Sequence, residues 1–223
     1  MQLNWQWKPL VCQRAILFLM LLAAFTPRLI ADPIHDAARK GDLNKVKELL
    51  TATPDLVSSR DKMGMTPLHL AAQNDRKDVV EFLIDHRADV NAKDSNGGFT
   101  ALDLALSTFH YKEIVEVLLA HGANPNTASN QGITPLDETA MRGQKDAVQL
   151  LLTKGADVNL QDSKGNTALL WALLFGRSDV AEMLINANAD VNAHNALGQT
   201  PLFLAHQHSN TKIGDLLRQR GAK

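Results

Sequence analysis

Two aspartates, Asp103 and Asp137, come nearest to catalytic chemistry in type and placement. Each lies three residues after a threonine, Thr100 and Thr134. If they stand on stacked helices, whose axes lie about 8–10 Å apart, their carboxyl groups roughly match an inverting acid/base pair. A hydrolase using both is one reading. The other is structural: an acid three residues after a capping threonine forms a capping box, which satisfies backbone N–H groups at a helix start. The capping reading is the stronger, because nothing around either residue suggests a pocket that would raise a carboxyl pKa. His206 and His208 are two apart, which on a helix turns them about 200° from each other. Metal ligands sharing one helix want a spacing of three or four. There is no phosphate-binding glycine loop and no Gly-x-Ser-x-Gly, and the single cysteine is Cys12. Catalytic residues, metal sites and cofactors are therefore not expected.

The elements that position these residues repeat. Gly64-Met65-Thr66-Pro67-Leu68-His69-Leu70-Ala71-Ala72 opens with a threonine suited to cap a helix and a proline at the first helical position. Leu68, Leu70 and the two alanines then form a narrow apolar face that lets another helix come close. The phrase returns at Gly132–Leu136 and Gly198–Leu202, with weaker copies beginning at Thr100 and Thr167. The threonines at 66, 100, 134, 167 and 200 are separated by 34, 34, 33 and 33 residues. A fixed period of this length is the signature of a solenoid. Asp32-Pro33-Ile34-His35 is the same opening one period earlier, with Asp32 in the capping place.

A second helix follows each opening. In the first repeat it runs near Leu43 to Thr51, with Val46, Leu49 and Leu50 inward. Its apolar positions then recur at helical spacing as Val79, Val80, Leu83 and Ile84; Ile114, Val115, Leu118 and Leu119; Ala147, Val148, Leu151 and Leu152; and Val180, Ala181, Leu184 and Ile185. These read as core. Gly122 and Gly155 end their helices where a left-handed residue is wanted, Asn188 can do the same, and Arg87 is strained there. The third repeat is irregular. It has one extra residue in Asp94–Phe99 and another within Ser107–Tyr111, which must bulge from the turn between its helices. The last repeat, polar through Lys212, Asp215, Arg218 and Gln219, reads as a cap.

The chain resembles the ankyrin repeat. The family's Thr-Pro-Leu-His-x-Ala-Ala opening stands complete at 66–72, and its closing phrase stands as Gly155-Ala156-Asp157-Val158-Asn159, with near copies at 87–91, 122–126 and 188–192. His35 and His69 fill the family's structural histidine position. The resemblance covers about 190 residues. It implies an all-α solenoid of six helix-turn-helix repeats joined by short β-hairpin-like turns, with repeats at about 32–63, 64–96, 97–131, 132–164, 165–197 and 198–223. It also implies a non-catalytic, monomeric module that binds a protein or peptide on a concave face built from turn tips and first-helix ends. On this chain the tips map to Lys62, Met63 and Met65; Ser95, Asn96 and Phe99; Asn130, Gln131 and Ile133; and Ser163, Lys164 and Asn166. The first-helix positions map to Gln73 and Asn74, Met141 and Arg142, and Leu174 and Phe175. Trp171 takes the place of Leu70 and reads equally as core. The candidate partner-binding set is Phe99, Phe109, Tyr111, Met141, Arg142, Leu174 and Phe175, because the bulge and the apolar pair break the repeat's habits.

Residues 1–31 do not follow the repeat. Lys8 and Arg14 precede an apolar run from Ala15 to Phe25, stopped by Pro27 and Arg28. A helix of that run spans roughly 16 Å, about half a bilayer core. A secretory signal cleaved after Ala31 is the better reading, although Leu29 is large for its place. The alternative is an uncleaved inner-membrane anchor. The chain then acts in the bacterial periplasm or outside the cell, or as a tethered scaffold that meets the membrane only through this segment. Residues 32–223 carry 20 Lys plus Arg against 24 Asp plus Glu, a formal charge of −4. A mildly acidic chain with no basic block argues against nucleic acid as the partner.

Overall fold

The computed structural model describes residues 32–108 and 111–223. Among these residues the chain forms twelve α-helices and one 3-10 turn, arranged as six helix pairs, and no strand. The pairs are α1 (Pro33–Lys40) and α2 (Leu43–Ala52), α3 (Pro67–Gln73) and α4 (Lys77–Asp85), α5 (Ala101–Leu106) and α6 (Tyr111–Ala120). They continue as α7 (Pro135–Arg142) and α8 (Lys145–Thr153), α9 (Ala168–Leu174) and α10 (Ser178–Asn186), α11 (Pro201–Gln207) and α12 (Thr211–Gln219). The signal or anchor expected at 1–31 lies outside the described residues. No helix among those described is long and apolar enough to cross a membrane.

Each opening phrase folds as its residue types dictate. Thr66 is extended (φ −87°, ψ 166°) and Pro67 takes the first helical position, where a missing N–H leaves no bond unmade. The first helices stack on one another, α3 on α5, α5 on α7, α7 on α9 and α9 on α11, and each also packs on its own second helix. Alanine makes this close stacking possible: Ala71, Ala105, Ala140, Ala172 and Ala205 are completely buried. The buried apolar residues form one continuous cluster from Ile34 to Leu217. The expected second-helix positions line it, with Ile84, Leu119, Leu152 and Leu49 only half buried at its edge. The 3-10 turn Pro54–Ser58, which the repeat pattern did not indicate, lays Leu56 and Val57 against the same core.

The turn tips carry the stack sideways. Each is closed by a backbone bond across its base, such as Asp61 N–H to Met65 O (2.9 Å) and Ser129 N–H to Ile133 O (2.8 Å). Neighbouring tips are joined by Ser95 N–H to Met63 O, Asn130 N–H to Gly97 O, Ser163 N–H to Gln131 O and Ala196 N–H to Lys164 O, all within 2.8–3.0 Å. Met65 and Asn166, expected on the tip surface, are instead buried. Asn166 Oδ1 accepts from Asn195 Nδ2 (3.0 Å), so it joins two repeats from inside. On the opposite edge Asn91, Asn126 and Asn192 each donate to a glycine carbonyl of the following repeat, Gly122, Gly155 and Gly221.

The expected left-handed corners appear, with φ of +88° at Gly122, +87° at Gly155, +64° at Asn188 and +67° at Arg87. Asp75 and Ser209 also adopt positive φ, at the corner that Gly41, Gly143 and Gly176 turn elsewhere. In the third repeat α5 ends at Leu106 and α6 begins at Tyr111, so the connection is long where an insertion was expected. Ser107 and Thr108 begin it, their hydroxyls donating to the carbonyls of Leu104 and Ala105. Phe109 lies outside the described residues.

Candidate partner surface on the first helices

Asp103 and Asp137 are closed into capping boxes. Asp103 Oδ2 accepts from Thr100 N–H (2.7 Å) and Thr100 Oγ1 (2.8 Å), and Asp137 Oδ2 accepts from Thr134 N–H (2.8 Å) and Thr134 Oγ1 (2.7 Å). His69 does the same for Thr66, one repeat before Asp103. Its Nδ1 accepts from Thr66 N–H (3.1 Å), and its Nε2–H donates to Phe99 O in the next repeat (3.1 Å). Burial holds this ring below the usual histidine range, as an Nδ1 acceptor requires. His206, whose Nε2 accepts from Arg218 Nη2 (2.6 Å), is exposed beside the last helix.

One expectation is corrected here. The sequence suggested no raised carboxyl pKa, yet burial pushes both Asp103 and Asp137 up to about 6, against the lowering effect of their threonine bonds. An ordinary unfolded aspartate titrates near roughly 3.9. Between those values the folded state holds more protons than the unfolded one, so these two groups make stability fall as pH rises from about 4 to 6 and level off above. The stabilisation lost is on the order of 3 kcal/mol per carboxyl as an upper bound. Asp103→Asn with Asp137→Asn keeps an acceptor for each cap but cannot ionise. Going from pH 4.5 to 7, the urea midpoint of the double variant should therefore fall less, or rise more, than that of the parent; the same change in both would contradict the assignment.

The expected partner residues separate on inspection. Met141 and Leu174 are half buried, and Leu174 packs against the core. The carbonyl of Met141 accepts from Arg177 Nε (2.9 Å). Arg142 is exposed and bonds Glu138 one turn earlier, Nη2 to Oε1 at 2.5 Å. Phe175 ends α9 with 52% of its surface exposed. Trp171 is half buried, so it is neither pure core nor fully free. Its ring centroid lies 5.9 Å from that of Phe175, with the rings tilted 41°. Phe99 is half buried, its ring lying over Gly97, where an added Cβ would meet Phe99 Cε2 at 2.2 Å. Of Tyr111 only the backbone, at the start of α6, is described. Trp171 and Phe175 thus come together at the end of α9, Leu174 lies between them in sequence, Arg142 lies at the equivalent end of the adjacent α7, and Phe99 stands apart at a tip.

A family profile described as ankyrin repeats (3 copies) matches residues 34–129 and 136–223. The chain belongs to the ankyrin-repeat family. It is 36% identical over 117 residues to the human transient receptor potential cation channel subfamily A member 1, covering 51% of this chain and 10% of the channel. It is 36% identical over 114 residues to rat ankyrin repeat and SAM domain-containing protein 6, covering 51% of this chain and 13% of that protein. It is 32% identical over 108 residues to the probable 26S proteasome regulatory subunit p28 of Saccharomyces cerevisiae, covering 47% of each. The chain thus spans less than half the length of these relatives. Among solved structures, an ankyrin repeat domain from Acinetobacter baumannii AYE superposes with a TM-score of 0.78 at 33% identity, covering 86% of this chain and 98% of that one. Ankyrin repeats are protein–protein interaction modules, and the fold is generally a non-catalytic scaffold.

Against the ankyrin pattern, three surface residues went unflagged. Glu138 stands where four other repeats have Leu70, Leu104, Trp171 and Leu204 and only the first has an acid, Asp36; an acid inside the stack in that column was the signal. Phe203 takes the place of His69 in the last repeat. There the column of His69, Asp103, Asp137 and Leu170, all buried by a following repeat, ends in a ring that is 53% exposed. Leu197, 80% exposed, is the tip residue of the same end.

Proposed function

We propose that this protein is an exported, non-catalytic binding module that takes a protein or peptide partner on its concave first-helix face. The observation that carries this reading is Phe175, an aromatic ring half open to solvent beside half-buried Trp171 on the helix ends that face partners in this family. Clustered exposed aromatics are the usual anchors of interfaces. Removing Phe175 leaves the core cluster untouched, since the ring is not part of it. Phe175→Ala should weaken capture of the native partner by about 1–3 kcal/mol and leave the urea midpoint nearly unchanged. Unfolding with binding preserved would make the ring structural and end the reading. The buried caps at Asp103 and Asp137 favour binding over hydrolysis, because Oδ2 of each carboxylate is already held by two threonine donors.

Export rests on the apolar run from Ala15 to Phe25 and on Ala31. Intact-mass measurement of protein purified from its native host should show a chain beginning at Asp32. A full-length mass in the membrane fraction would support the tethered scaffold instead.

A further inference from the structure

Two four-residue pairs lie side by side on the first-helix face. On α7 the pair is Glu138 and Arg142, and in the next repeat, whose α9 packs against α7, it is Trp171 and the capping residue Phe175 at the equivalent places. Glu138 therefore puts a carboxylate into a column that is leucine or tryptophan in the other repeats after the first and holds an acid elsewhere only in the first, where Asp36 pairs with Lys40. It is half buried, yet only its Oε1 has a partner among the described residues, Arg142 Nη2, and Oε2 has none. Burial still holds its pKa above the ordinary glutamate value, although Arg142 acts to lower it. Oε2 is reached by solvent and so stays accessible to a guest donor. At the equivalent places in the next repeat, Phe175 is half exposed and the Trp171 indole N–H is buried without an acceptor.

We propose that Glu138, flanked by Trp171 and Phe175, is the seat for a lysine or arginine side chain of the partner, with Met141 and Leu174 forming the apolar floor for its neighbour. This rests on the partner-binding reading above and adds the partner's chemistry. A cation over an aromatic face and against a half-desolvated carboxylate gains from both. The −4 formal charge of residues 32–223 draws a basic segment and repels an acidic one. Arg142 occupies one side of the seat in the free protein. The guest cation takes Oε2 first and competes with Arg142 for Oε1. This competition gives the proposal a signature that a merely structural Glu138 lacks: removing Arg142 strengthens binding while removing Glu138 weakens it.

The test is selection of a displayed library of random dodecapeptides on the intact chain, followed by calorimetry of the enriched peptides. Peptides whose binding requires Phe175 should carry a basic residue. Glu138→Gln should weaken them at least about tenfold, the scale of a lost charged hydrogen bond. Arg142→Gln should tighten them by a few-fold. Circular dichroism and urea midpoints of both variants should match the parent. Phe175-dependent peptides that are acidic or uncharged, or that bind Glu138→Gln as well as the parent, overturn the cation seat and leave the binding face standing. Peptides indifferent to both Phe175 and Glu138, or no enrichment, overturn the seat and the face together.

Discussion

Leu151→Ala should remove about 2–5 kcal/mol of stability, the range for a buried leucine truncation, while Leu217→Ala removes clearly less. The two leucines are equally buried, both at 0% exposure, so burial does not produce the difference. Position does. Leu151 lies on α8, which packs on its own first helix α7 and on the second helix α10, while α7 is itself stacked between α5 and α9. A defect there weakens a repeat that both halves of the stack need. Leu217 lies on α12, in the last described pair. When that pair loosens, the remaining pairs keep their own interfaces, and the loss is limited to what one terminal repeat contributes. Urea denaturation followed by circular dichroism measures both. Equal losses would contradict nearest-neighbour stacking and make the stack a single globular unit.

Gly132→Ala should also be strongly damaging, at about 2–5 kcal/mol, and Gly155→Ala should cost only about 1–2 kcal/mol. Both glycines sit at positive φ, +79° and +87°, so both carry the left-handed penalty. They differ in what surrounds them. A Cβ on Gly132 would come within 2.8 Å of Ser163 N and 3.0 Å of Asp162 Cα, both backbone atoms of the next tip. A Cβ on Gly155 would meet nothing within 4 Å. Relief at Gly132 means moving the tip whose Ser163 N–H donates to Gln131 O, so strain passes into the bond between repeats. Matching urea midpoints for the two variants would show that tip contact adds nothing to the backbone penalty.

Much of this was legible in the sequence because each repeat states the same physics in the same order. Thr66, Thr100 and Thr134 name the helix starts, the alanines after them name the side that packs closely, and Gly122 and Gly155 name the corners. What could not be read came from two sources. The first is depth. The spacing identified Asp103 and Asp137 as caps, but only the packing of adjacent pairs shows how thoroughly they leave water and why their pKa rises. Depth likewise separates Leu174, which leans on the core, from Phe175, which does not. The second is a column read across repeats. Glu138 is unremarkable within its own phrase and conspicuous only beside Leu104 and Trp171. Met65 and Asn166 misled for the same reason: their places are exposed in a linear map of the tip, but both are buried, Met65 where its carbonyl meets His35 of the preceding repeat and Asn166 where it bonds Asn195 of the following one.

The tip-to-tip bonds have a mechanical consequence. Ser95–Met63, Asn130–Gly97, Ser163–Gln131 and Ala196–Lys164 join consecutive repeats like single rungs along one edge. A pull on the two ends of the stack loads these junctions together with the Asn91–Gly122, Asn126–Gly155 and Asn192–Gly221 bonds, and among the described residues no strand ladder shares the force. Each junction that gives way frees one repeat, and a repeat of about 33 residues releases roughly 110 Å of extended chain. Stretched between a fixed point and a moving partner, the solenoid therefore yields in regular steps and recoils one repeat at a time, a compliant spring whose stroke is set by the period of its own sequence.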